Sequence, residues 1–400
     1  MPNKVNLSPE TRALIKAQIS RRGLIAGAGG LGAVGLLAAC GTKSSSTSQA
    51  AVATDVSATE KLARWANWTL YLDYDSKTNK YPTLETLKAS SGLDITYKED
   101  VDDNNTFYGK VAGQLKLGKD IGYDIVTLTD WMAGRWIRLG YTQKIDEANV
   151  PNKKNILPAL ANVGFDPGRN NSLTWQTGFA GFGWNKEKLP KGVHTLDDLF
   201  APANKGRIEV LSEMRDTMGI IMQYQGVDIS GSFTEDQFMN GIDFLEKKIS
   251  DGFIRQVKGN SYKEDLISGD AIAVIGWSGD VFQLATENKG KFEFAVPESG
   301  GTLWSDNMMI PSTSTHKKNA ETVMNYYYEP AVAAQVAAYV NYICPVQGAQ
   351  AEMEKIDPVL AKSPFIFPDD VALSKVKVFA ALSPADETKY QAAFQKATGN

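Results

Sequence analysis

The feature that most constrains the fold is an alternation of short β-rich runs with longer amphipathic stretches. The β-rich runs are Leu93–Tyr97, Tyr123–Leu128, Arg207–Leu211, Ile272–Ile275 and Phe292–Val296. Between them, Phe238–Leu245 carries apolar residues at helical spacing. Thr234, followed three residues later by Gln237, reads as a capping box for that helix. Thr106–Leu117 reads as another helix, ended by Gly118. Such alternation predicts an α/β architecture with largely parallel sheets and no internal repeat.

The N-terminal segment says where the chain goes. Arg21-Arg22 precedes a weakly apolar, Gly/Ala-rich run that closes on Leu37-Ala38-Ala39-Cys40. An arginine pair before a short apolar stretch reads as a twin-arginine export signal. Leu-Ala-Ala-Cys reads as a lipobox, so Cys40 is expected to be acylated and to begin the mature protein. The run Gly23–Ala39, 17 residues long, is short for a membrane span, which needs about 20 apolar residues. Residues 1–39 are therefore expected to be a lipoprotein signal peptide. Residues 40–58, rich in Ser, Thr and Ala, are expected to form a flexible tether. The remaining body is long enough for two domains or lobes, at about 100–200 residues each.

Charge and reactive residues exclude several functions. The leader is basic while the chain as a whole is −4, so the body is acidic, which argues against nucleic acid. Once Cys40 is acylated, Cys344 has no partner for an intrachain disulfide; between Ile343 and Pro345 it reads as a small buried apolar group. His194 and His316 are the only histidines and neither has ligand residues beside it in sequence. A histidine-based metal site or a Ser-His-Asp triad is not expected. Two motif matches lack context. Gly27–Gly32 fits a dinucleotide fingerprint but lies inside the export signal. Gly113–Asp120 nearly fits a phosphate loop but ends a helix instead of opening one. No cofactor or metal is expected.

What does recur is an aromatic residue beside a carboxylate at strand ends. The clusters are Trp65–Tyr71 (with Trp68, Thr69 and Tyr71), Thr129-Asp130-Trp131, Ser212–Asp216 (with Glu213), Trp277–Asp280 and Trp304-Ser305-Asp306. In open α/β sheets ligands bind beyond the carboxyl ends of strands. Taken singly, a tryptophan after a strand is ordinary packing and an acid at a helix start is a cap. Taken together, aromatic faces attract organic cations and carboxylates accept charge-assisted bonds from ammonium groups. Such a set suits a chain with amines at its tips.

At this point the sequence resembles the periplasmic spermidine/putrescine-binding proteins, the substrate receptors of bacterial polyamine ABC importers. The resemblance is carried, in order, by Trp68-Thr69-x-Tyr71, Tyr123–Val126, Gln143–Asp146, Ser212-Glu213-x-Arg215-Asp216 and Ile275–Asp280. It spans roughly residues 60–398. It implies a two-lobed periplasmic-binding-protein fold (type II) with a ligand cleft and hinge crossovers. Lobe 1 would comprise 59–175 and 278–345, lobe 2 176–277 and 346–400. It implies ligand contacts at Trp68, Thr69, Tyr71, Thr129, Asp130, Trp131, Glu213, Asp216, Trp277, Asp280, Asp306 and Tyr342. The amine ends would be held by Glu213 with Asp216 and by Asp280 with Asp306. Two departures stand out: Asp130 inside the Thr129–Trp131 pair, and Phe379–Leu382, where spermidine-type members carry a polar contact.

The expected role is a non-enzymatic, monomeric receptor, exported and lipid-anchored on the outer face of the bacterial cytoplasmic membrane, delivering a polyamine to ABC permease subunits. The competing readings are a same-fold receptor for a quaternary amine, sugar or metal chelate, and an exported glycosidase using Glu213 and Asp216 as paired acids.

Overall fold

A computed structural model describes residues 52–399. The export signal, the arginine pair, Cys40 and the glycine run at 27–32 lie outside the described residues.

The alternation seen in sequence becomes a mixed ten-stranded sheet among the described residues, flanked by helices. In chain order the elements used below are β1 (Leu62–Trp68), α1 (Pro82–Ser91), β2 (Asp94–Val101), α2 (Asn104–Lys116), β3 (Ile125–Thr129), α3 (Asp130–Arg138) and β4 (Ser172–Asn185). There follow β5 (Ile208–Leu211), α4 (Met214–Tyr224), α5 (Glu235–Ser250), β6 (Ile254–Lys258), α6 (Tyr262–Ser268), β7 (Ala273–Trp277) and α7 (Ser278–Glu287). The last are β8 (Phe292–Ala295), β9 (Gly301–Met309), α8 (Lys317–Tyr327), α9 (Pro330–Val340), α10 (Ala349–Ile356), β10 (Val376–Lys377) and α11 (Pro384–Thr398). The capping box at α5 forms as expected: Thr234 accepts from the Gln237 backbone, and Gln237 accepts in return from the Thr234 N–H.

The strand order is β2-β1-β3-β9-β4-β7-β5-β6. The outer triplets β2-β1-β3 and β7-β5-β6 are parallel, as expected from βαβ units. The expectation of a largely parallel sheet fails at the centre. There β4 and β9 pair antiparallel with each other, with β3 and with β7. These two long strands run from one triplet to the other, and a crossover strand must enter one triplet against its direction.

Register shows what this achieves. Thr129 at the end of β3 lies opposite Asp306, which lies opposite Gln176 of β4. Trp277 at the end of β7 lies opposite Ala180 of the same strand. The two triplets therefore run head-on toward one another, their carboxyl ends about four residues, or ~13 Å, apart along β4. β4 is buried along its whole length and bears three glycines where neighbours press close. A Cβ on Gly178 would sit 2.5 Å from Trp304 and 2.8 Å from Tyr342; one on Gly183 would sit 2.6 Å from Val281.

Residues 53–57, expected to belong to the tether, are held on the folded body. Ala53 and Val56 donate backbone hydrogen bonds to Ser312 and Thr315. Ser57, buried, and Asp55 accept from the free N–H groups of Asn319 and Lys318 at the start of α8. Polar residues that read as solvated spacer are helix caps in the fold. Further along, α10 packs on α9, so a division of the body at residue 346 parts two helices that lie together.

Cys344 is buried and free, and burial pushes its thiol up to about 12, as a small core residue should behave. His316 differs from expectation. It stands between Asp124 and Glu60, 3.0 Å from each, partners far away in sequence.

Candidate functional site

Each parallel strand of both triplets ends at one cleft. From the first triplet come Trp68, Thr69 and Tyr71 after β1, Asp102 to Asn104 after β2, and Thr129 at the end of β3. From the second come Ser212, Glu213 and Asp216 after β5, Asn260 after β6, and Trp277 and Asp280 at β7. Mid-β9 adds Trp304 and Asp306, and the turn after α9 adds Tyr342. The cleft encloses about 510 Å³, counting the open space at its mouth.

Its walls are aromatic. Trp68 and Trp277 have ring centroids 6.5 Å apart, Trp277 and Trp304 6.4 Å, Trp304 and Tyr342 5.2 Å, and Tyr342 and Tyr71 5.4 Å, all roughly edge-to-face. The backbone is shaped to admit them. Gly178 underlies Trp304, and a Cβ on Gly279 would lie 2.6 Å from the Tyr342 ring. Leu70, between Thr69 and Tyr71, adopts a left-handed φ of 59°, and its N–H is held by Glu99. A non-glycine residue there costs on the order of 1 kcal/mol or more.

The acids divide by how the protein treats their charge. Asp306 is buried and accepts from Tyr71 at 2.9 Å and Thr129 at 2.7 Å. Asp216, also buried, accepts from Trp277 at 2.8 Å and from Thr302. Glu213 accepts from Trp131 at 3.2 Å and Asn104 at 3.4 Å, with the Arg215 N–H on its other oxygen. Among the described residues none of the three has an ion-pair partner within 4 Å. Burial is the first cause of their shifts: Asp216 is raised to about 6, Asp306 to about 7 and Glu213 to about 8. Their mutual repulsion adds to this for Glu213 and Asp306.

Asp280 is different. Its Oδ2 accepts from Asn260 at 2.9 Å and Tyr262 at 3.0 Å, and its Oδ1 from Tyr342 at 3.1 Å and the Lys263 ammonium at 3.2 Å. That fills the four acceptor positions of a carboxylate.

Of the residues expected from sequence, ten line the cleft: Trp68, Thr69, Tyr71, Thr129, Glu213, Asp216, Trp277, Asp280, Asp306 and Tyr342. Asp130 does not. Side chains alternate across the end of β3, and Asp130 turns away to accept from Asn307 at 2.7 Å, near Arg169; burial raises it to about 6. Trp131 also misses the lining. Its indole N–H supports Glu213 from behind, and its ring is covered by Arg215 at 4.3 Å. The contact set implied by the resemblance leaves out Trp304 and Ser212, although both stand in the recurring clusters, and Asp102, Asp103, Asn104 and Asn260 are in neither. Trp304 was findable, since it stands two residues before Asp306 and so on the same strand face. Asn260 follows β6, a strand that was not recognised.

The sequence profile of the bacterial extracellular solute-binding proteins matches residues 84–364. The chain belongs to that family. Among curated relatives of this solute-binding protein, the spermidine/putrescine-binding periplasmic protein of Salmonella typhimurium is 26% identical over 313 residues, covering 77% of this chain and 84% of the relative. A putrescine-binding periplasmic protein of Escherichia coli is 24% identical over 331 residues, covering 78% and 85%. In structure, a spermidine/putrescine ABC transporter substrate-binding protein from Streptococcus pneumoniae superposes with a TM-score of 0.68 at 23% identity, over 84% of this chain and 98% of that one. The fold is thus the two-lobed periplasmic-binding-protein fold, with β4 and β9 as crossover strands. No helix among the described residues is long and apolar enough to cross a membrane.

Proposed function

We propose that this solute-binding protein captures a polyamine in the cleft and presents it to the permease of an ABC importer. The observation that carries the reading is the set Glu213, Asp216 and Asp306. Three acids, two of them deeply buried and none ion-paired, face one aromatic-walled space. A buried carboxylate without a cation is costly, and an ammonium group relieves that cost. The methylene spine of the ligand lies against Trp68, Trp277 and Trp304, whose faces also attract the charged ends. Tyr71, held well above its ordinary value chiefly by burial, stays protonated and keeps Asp306 aimed into the cleft. Thr69 and Tyr342 complete the wall, and Thr129 orients Asp306. The relatives, named for spermidine and putrescine binding, support the same reading.

Binding, not turnover, is the activity. The chain acts as a monomer. Lobe 1 comprises 59–175 and 278–345 with α10 beside α9, and lobe 2 comprises 176–277 and the remainder of 346–400. Closure is a hinge motion about β4 and β9, and the closed form is what the permease reads. The protein is exported and held at the membrane by lipid on Cys40. The ring of aromatic side chains also suits a quaternary ammonium group, which is the second reading.

A thermal-shift panel of putrescine, spermidine, betaine, sugars and divalent metals tests this. A ligand at 100 times its Kd stabilises by about 2.7 kcal/mol, so polyamines raise the melting temperature and the other classes do not. A shift with betaine and none with polyamines replaces the first reading by the second.

A further inference from the structure

Among the acids that line the cleft, Asp280 is the one with an ion-pair partner within 4 Å. Lys263, from the first turn of α6, is only 8% exposed, and its ammonium lies 3.2 Å from Asp280 Oδ1. The other three acceptor positions of Asp280 are filled by Asn260, Tyr262 and Tyr342. A ligand ammonium arriving at Asp280 has no lone pair to accept it and meets a like charge that has nowhere to go. We infer that Lys263 is a specificity-determining residue: it stands where a further ammonium group of a longer ligand would bind, and so selects diamines over triamines. This rests on the polyamine reading above.

The remaining charge agrees. Apart from Asp102 and Asp103 at the rim, Glu213, Asp216 and Asp306 are the lining acids without an ion pair, and Arg215 beside Glu213 offsets part of their charge, leaving room for about two ammonium groups. The rim acids do not add a third place. Asp103 caps α2 through the Thr106 N–H at 2.9 Å, and Asp102 is raised by burial and by its neighbour Asp103, with Lys263 opposing.

The test is calorimetric titration of the purified mature chain with putrescine and with spermidine, on the natural sequence and on Lys263→Gln, which keeps a hydrogen-bond donor and removes the charge. The natural chain should bind putrescine at least tenfold tighter, and Lys263→Gln should move the ratio of the two affinities at least tenfold toward spermidine. A natural chain that binds spermidine as tightly as putrescine overturns the inference, as does a folded Lys263→Gln whose ratio stays within threefold of the natural one. If Lys263→Gln does not fold, the ratio on the natural chain decides alone. A natural chain that binds neither amine overturns the polyamine reading and this inference with it; binding with an unmoved ratio overturns this inference only.

Discussion

Raising the pH from 6 to 8 should tighten polyamine binding steeply, and the structure says by how much. In the free protein Asp216, Asp306 and Glu213 titrate at about 6, 7 and 8. At pH 7 they hold roughly one and a half protons between them. A bound ammonium within about 4–6 Å lowers a carboxyl by 1–3 units, so the complex needs them ionised and binding expels those protons. Alkyl ammonium groups, like that of Lys at about 10.4, keep their charge throughout this range. Affinity therefore rises with pH, on the order of a hundred- to a thousandfold between pH 6 and 8, at about 1.4 kcal/mol per tenfold. The same shifts make the empty protein less stable as pH rises through that window, because the folded state binds more protons than the unfolded one. The assay is titration calorimetry at pH 7 in buffers of different ionisation enthalpy. The slope of heat against that enthalpy should report one to two protons released. Glu213→Gln should lower the count by about one and weaken binding at pH 8 at least tenfold. No buffer dependence, with an affinity flat from pH 6 to 8, would refute the reasoning.

Three further outcomes follow from packing and ion pairs. Gly279→Ala places a methyl group 2.6 Å from the Tyr342 ring; overpacking of this kind costs about 1–3 kcal/mol, and urea unfolding should register it together with weaker ligand binding. Glu387 of α11, its side chain 7% exposed, is gripped by Arg135 at 2.9 Å, Arg138 at 3.2 Å and Arg215 at 3.6 Å. Glu387→Gln should cost about 3–5 kcal/mol, and a loss below 1 kcal/mol in denaturant titration would contradict the burial of that pair. Against the cost of burial, hydrogen bonds to Glu60 and Asp124 raise His316. A raised histidine contributes stability that is full below about pH 6.5 and fades as pH rises through its folded value. The stability gap between the natural chain and His316→Gln should narrow from pH 6 to 8.5, and a constant gap would contradict it.

Much of this was legible in the sequence, for physical reasons that also set the limits. The parallel strands β3, β5 and β7 announced themselves because a buried parallel strand is a short apolar run, whereas β1 and β6 did not, and the clusters after β3, β5 and β7 followed from where such sheets bind ligands. β4 and β9 stayed hidden. Glycine weakens a strand, and β4 carries Gly178, Gly181 and Gly183 because Trp304, Tyr342 and Val281 crowd against it, a tertiary demand with no local signal. The resemblance implied hinge crossovers, but with β4 and β9 unplaced the mixed direction of the sheet could not be read. Trp131 was nominated as a contact by the family's Ser/Thr-x-aromatic pair and Asp130 because it stands inside that pair; the alternation of side chains sends Asp130 to Asn307, and the Trp131 indole N–H is taken by Glu213. The pairing of Lys263 with Asp280 joins residues 17 apart in sequence across a strand, and nothing in composition marks it. Asp55 and Ser57 read as tether because their partners at the start of α8 lie some 260 residues further on.

In this reading Glu213, Asp216 and Asp306, raised by burial and without an ion pair, define the ligand. Titration calorimetry of putrescine into the purified mature chain at pH 8, beside the Asp306→Asn variant, tests it most directly. The account predicts one site per chain of micromolar affinity or better, with at least tenfold weaker binding in the variant. Putrescine heat identical in both proteins, or no heat in either, would contradict it.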